Sequence, residues 1–204
     1  MIRTRASLIL PIAIAALAAG CSILSPRPDR ARFYLLTTDA AQARIASPAA
    51  LTLGLGPIEL PGYLDQSQVV TRVAPNRIEL SPDERWAESL TGNVRDVLAR
   101  ELASRLPNAH IVNFPWYPTV RVRYQIEVEF DRFERAGADS TELAARWTIR
   151  DGQSRQILMT RDARFAAAAA NGSMEAAAAA LSADLGDLAD QIATAIAQLD
   201  ASPS

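Results

Sequence analysis

Glu127, Glu129 and Asp131 recur at every second position. In a strand this places three carboxylates on one face, where they could hold a cation or divide acid and base roles. Arg121, Arg123, Arg146 and Arg150 can reach the same sheet face, so a solvated, salt-bridged surface accounts better for both signs of charge. His110 is the single histidine. It has no serine or cysteine beside it in a recognisable nucleophile motif and reads as structural. Gly54-Leu55-Gly56 lacks the third glycine and the following helix of a dinucleotide loop, and no Gly-Lys-Ser/Thr exists to cradle a phosphate, so it reads as the end of a strand. One Cys and one His are too few for a disulfide framework or an all-Cys/His zinc site. No catalytic residue, cofactor site or metal site is assigned, and an enzyme is not expected.

The one cysteine, Cys21, stands elsewhere. Arg3 and Arg5 precede an uncharged stretch over residues 6–19 that carries Leu8, Ile9, Leu10, Ile12, Ile14 and Leu17. A basic segment followed by an apolar one too short to span a roughly 30 Å hydrocarbon core reads as a secretory signal. Leu17-Ala18-Ala19-Gly20-Cys21 then resembles a bacterial lipobox. That resemblance implies cleavage after Gly20, acylation of Cys21 on sulfur and then on nitrogen, and, because Ser22 is not Asp, passage to the outer membrane. Each buried methylene contributes about 0.8 kcal/mol, so several acyl chains hold a protein durably at a bilayer. The division expected is a lipoprotein signal over 1–20, a lipidated tether over 21–31 containing Pro26 and Pro28, a domain over 32–200 and a tail over 201–204.

The chain has 204 residues, 49% of them hydrophobic and 22% charged, with a net charge of −2. These proportions fit one packed domain and argue against disorder or a multi-span membrane protein. All 21 basic residues are arginine and none forms a basic stripe, so nucleic acid is not an expected partner.

The remaining elements are those that must position any site. Strands are predicted at residues 32–36, at 51–55 up to Gly56-Pro57, at 68–73 and 77–80 as a hairpin over Pro75-Asn76, and at 109–114. Ser81 with Pro82, Asp83 and Glu84 predicts a helix start, followed by Trp86, Leu90, Val94, Val97, Leu98, Leu102 and Leu106 on one face until Pro107. Strict alternation over residues 120–130 predicts a long half-buried strand, and Phe133 falls out of phase, which predicts a bulge near Asp131-Arg132 or the strand end. Residues 143–149 and 155–165 should complete an antiparallel set of three through the Asp151-Gly152 turn. Ser173 caps a last helix from Met174, whose seam is Leu181, Leu185, Leu188, Ile192, Ile196 and Leu199, with Asp184, Asp187 and Asp190 outside it. That seam faces either the core or another protein.

Two loops carry apolar residues where polar ones are usual. Leu60-Pro61-Gly62-Tyr63-Leu64-Asp65 places Tyr63 and Leu64 beside a turn, and Phe114-Pro115-Trp116-Tyr117-Pro118 has three aromatics in five residues. Tyr63, Leu64, Trp116 and Tyr117 either cap this domain's own core or meet a partner protein or lipid.

The Leu60–Asp65 segment, then Val69-Val70-Thr71-Arg72, Arg85-Trp86-Ala87-Glu88-Ser89-Leu90, the strand over residues 123–134 and Ala145-Arg146-Trp147 together resemble the ABC-type transport auxiliary lipoproteins of the PqiC/YmbA kind. The likeness runs over about residues 33–199. It implies an α/β fold, a three-layer sandwich with a mixed, roughly five-stranded sheet and two long helices, similar to anticodon-binding-like domains. It also implies a periplasm-facing outer-membrane lipoprotein that works as a non-enzymatic anchor or adaptor with a periplasm-spanning MCE-domain protein of a PqiB-like transporter, moving lipids or other hydrophobic molecules between membranes. Because the residues give more than five strand candidates, some are expected to be loops or a side hairpin. A freestanding lipid carrier, an assembly lipoprotein of another outer-membrane machine and an envelope hydrolase are the rival readings, and homo-oligomerisation is left open.

Overall fold

A computed structural model describes residues 30–38, 45 and 50–201. The chain divides into two units, Met1–Arg30 and Ala31–Ser204, and the second is the subject here. The expected signal, Cys21, Ser22, most of the tether and residues 202–204 lie outside the described residues.

Eight strands and two long helices are present among the described residues: β1 (Arg32–Tyr34), β2 (Leu51–Glu59), β3 (Gln68–Ala74), β4 (Arg77–Trp86), α1 (Leu90–Arg105), β5 (Ala109–Asn113), β6 (Tyr124–Ala136), β7 (Ser140–Asp151), β8 (Ile157–Ala168) and α2 (Met174–Ala201). The mixed α/β class with an open sheet and two helices is the expected one. β6 organises the sheet. One of its edges pairs antiparallel with β7 along its whole length. The other edge pairs in parallel first with β2, then, at Arg135 and Ala136, with β3. Five strands in the order β5-β2-β6-β7-β8 therefore form the main sheet, and β3-β4-β1 extends from the far end of β6 as a side wing.

The β6–β8 meander forms because apolar residues recur along one face of β6 and β7: Ile126, Val128, Leu143, Trp147 and Ile149 are all buried. The bulge falls where it was predicted, between Phe130 and Arg132. It restores Phe133 to the buried face, where its ring meets Phe130 edge-on at 5.6 Å. Charges on the other face pair across strands, Arg150 Nε with Glu127 at 2.9 Å and Arg146 Nε with Asp162 at 2.8 Å. α1 lies over β2 and β5, α2 over β6, β7 and β8, and the two helices pack against each other, so they form one layer over one face.

Two expectations about the strands need correction. Ser81-Pro82-Asp83-Glu84 does not begin a helix: it lies within β4, and α1 starts at Leu90 with Ser89 as its cap, Ser89 Oγ accepting from Gly92 N. Between the paired positions Val70–Leu80 and Gln68–Arg85 the β3–β4 register slips, and the four residues fall in that slip. Pro82, which has no N–H to give a ladder, is tolerated there, and Ser81 Oγ accepts the Glu84 amide at 3.2 Å within an extended chain. The parallel pairing of β1 with Glu84, Arg85 and Trp86 then holds this stretch as strand. Gly56-Pro57, likewise, is an irregularity inside β2 rather than its end: the register shifts between Leu55 and Ile58 and pairing resumes to Glu59. Gly56 has φ +119°, open to glycine at little cost, and its carbonyl accepts from buried Gln125 Nε2 at 2.8 Å.

The seam of α2 is buried as expected from Leu181 to Ile196, but Asp184, expected outside it, is only 3% exposed. α2 is covered by α1 on one side and by β7 and β8 beneath, so its buried arc is wider than one seam. The chain after β1 closes over both helices: Leu36 N donates to Asn93 Oδ1 at 2.7 Å and Thr37 N to Ser182 Oγ at 3.1 Å.

Candidate functional site

The loop after β5 folds over the helix-free face of the sheet. Leu53 and Leu55 of β2 point into the core, so the intervening Gly54 points the other way. The Trp116 ring lies on it: a Cβ at Gly54 would sit 2.4 Å from that ring. Phe114 N donates to Leu55 O at 2.8 Å, and Phe114 meets Trp116 edge-on at 5.5 Å. The cluster thus has two functions by position. Trp116 is half-buried and fastens the loop to β2, while Tyr117, at 81%, and Phe114 are exposed. Glycine inside a strand is the sequence signal for this close approach, and Gly54-Leu55-Gly56 lies within β2 rather than at its end.

Beside the loop is a cleft of about 640 Å³ whose walls include Trp116, Arg121, Val122, Gln153 and Arg155, with no acidic residue in its lining. A smaller cleft of about 220 Å³ on the same face is lined by Pro57, Glu59, Glu127, Glu129, Arg146 and Thr148. Of the alternating acids, Glu127 and Glu129 thus line a cleft in which Arg146 is a wall residue, with Glu127 already paired with Arg150, while Asp131 is not among its lining residues. Among the described residues, no three His, Cys, Asp or Glu side chains are grouped to hold a metal ion. His110 is exposed on β5, beside Thr52 of β2.

The Tyr63–Leu64 loop is spent differently. It forms a single 3₁₀ turn, Gly62–Leu64, and Leu64 is 3% exposed inside the core. Tyr63 packs against that core and accepts a hydrogen bond from Arg72 Nη2 at 3.2 Å, with the guanidinium 5.5 Å over its ring. Arg72 also pairs with the buried Glu134. Burial, reinforced by Glu134, pushes the Tyr63 phenol up to about 12. Of the two alternatives for this loop, capping the domain's own core is what Leu64 does, so Leu64 is not carried into a partner surface.

Gly54→Ala should displace Trp116, since the new methyl occupies ring space, at a cost of about 1–3 kcal/mol. Trp86 and Trp147 are buried, so a red shift in tryptophan emission would report Trp116 directly. An unshifted spectrum with unchanged stability would contradict this packing.

Among the described residues no helix is long and apolar enough to cross a membrane. No curated protein matches the chain. Among solved structures, an uncharacterized protein superposes with a TM-score of 0.67 at 16% identity, covering 80% of this chain and 97% of that one. A protein from Xanthomonas campestris superposes with a TM-score of 0.64 at 15% identity, covering 82% and 97%. At such identities the likeness shows the fold. Residues 34–193 match the model of the ABC-type transport auxiliary lipoprotein component family. Spanning α1, most of α2 and nearly all of the sheet just described, that match makes the chain a member of this family of ABC-type transport auxiliary lipoproteins.

Proposed function

We propose that the chain is a non-enzymatic anchor or adaptor on the periplasmic face of the outer membrane, held there by acyl groups on Cys21 and sorted by Ser22. Its partner is a periplasm-spanning MCE-domain protein of a PqiB-like intermembrane lipid transporter. The observation that carries the reading is the family match over residues 34–193, in a chain whose one cysteine follows Leu17-Ala18-Ala19-Gly20. Phe114 and Tyr117 are the partner-facing residues of the aromatic loop, because a tyrosine that is 81% exposed on an anchored loop is poorly explained by packing. Trp116 supports them from below, and Tyr63 sits at the rim of its own core.

Tyr117→Asp should abolish co-purification of the MCE protein from detergent-solubilised envelopes. Its stability should stay within about 0.5 kcal/mol of the parent, as for exposed substitutions generally. Undiminished co-purification would remove this loop from the interface.

A further inference from the structure

β8 is an outer strand of the main sheet: among the described residues it pairs with β7 alone, over Ile157–Ala168. Most of its side chains are exposed. An open edge of this length is a template for another strand, and proteins commonly blunt such edges with charge. Repulsion between copies would need charges of one sign, but here the signs alternate.

Asp162 and Arg164 are two residues apart and so lie on one face. An antiparallel pairing of two β8 edges about a two-fold axis must set side chains of the same face opposite each other, so the axis passes through a residue. Centred on Arg161, Asp162 or Arg164, that pairing sets a charge against itself. Centred on Ala163, it sets Asp162 opposite Arg164 of the second copy, twice by symmetry, and Arg161 opposite Phe165 of the second copy. Within one chain Glu129 is opposite Arg146, and Arg146 is opposite and bonded to Asp162. Adding Arg164 of a second copy continues the row as acid, base, acid, base across the junction.

We infer that two copies of this chain associate edge to edge through β8, antiparallel and centred on Ala163, joining their sheets. Neither the partner-facing loop nor its proposed partner enters this inference.

Full-length copies bearing two different C-terminal tags, co-expressed and extracted from the envelope in detergent, test it by co-purification. Parent copies should capture one another. Two Asp162→Arg copies, or two Arg164→Asp copies, should do so about tenfold less, since both opposite-charge pairs become like-charge pairs. Mixing an Asp162→Arg copy with an Arg164→Asp copy restores both pairs and should restore capture. That rescue uses the same two chains, so misfolding cannot mimic it. The inference is overturned if parent copies do not capture one another, if the single variants self-associate like the parent, or if the mixed pair fails to recover.

Discussion

Replacing Arg105 with methionine should cost about 3–5 kcal/mol, a large part of the 5–15 kcal/mol that holds a typical domain folded. The side chain is fully buried between the helices, as is Glu101 one turn before it. Its guanidinium bonds the Glu101 carboxylate and Asp190 of α2, and donates to the carbonyls of Glu101 at 3.1 Å and Gly186 at 2.9 Å. Methionine keeps much of the volume but leaves the Glu101 charge buried without that cation and removes the donor to Gly186. Asp190 loses less, since its side chain is 42% exposed and can take up water. Adding Glu101→Met should therefore recover more than half of the loss, because a buried ion pair exchanged for well-packed apolar groups is often neutral. Urea unfolding of the single and double variants measures both quantities. If Arg105→Met unfolded like the parent, this network would not be what joins α1 to α2.

Asp184→Asn should instead stabilise the protein at neutral pH. Burial raises this carboxyl from its ordinary 3.8 to about 6, with Asp187 adding to the effect, while the hydrogen bond from Thr141 opposes it. That bond is long, at 3.4 Å. The folded chain therefore holds this proton more tightly than the unfolded chain. Its contribution is fully present below about pH 4 and fades as pH rises to about 6, where the folded protein must ionise a buried acid. A shift of this size corresponds to about 2–3 kcal/mol. Asparagine cannot ionise, so the variant should gain that amount at pH 7.5, little at pH 4, and lose the slope between. An unchanged slope would mean that Asp184 reaches water.

These two acids show what sequence can carry. Asp184 and Asp190 were both expected outside the seam, although on the helix Asp190 lies opposite it while Asp184 lies beside it, next to Leu188. One is buried under α2 against Thr141, and the other meets an arginine 85 residues away, a distance that periodicity does not register. Glu101 and Arg105 stand four apart on one helix, a spacing that permits a pair, but neither was singled out from the sequence. The meander was readable through its bulge because a half-buried antiparallel strand declares its face at every second residue. The start of α1 was not, because Ser-Pro-Asp-Glu satisfies both a helix cap and an irregular strand, and pairing with a distant β1 decides between them. The same limit applied to the two loops. Leu64 and Tyr117 are both apolar or aromatic residues near prolines, and only packing separates the one that fills the core from the one that faces outward.

The proposed role depends on a fatty-acylated Cys21, and mass spectrometry of the N-terminal peptide from protein in its native envelope tests that most directly. It predicts a peptide beginning at Cys21 and bearing acyl chains on its sulfur and amino nitrogen, recovered with the outer membrane. A free thiol at Cys21 with residues 1–20 still attached would contradict it.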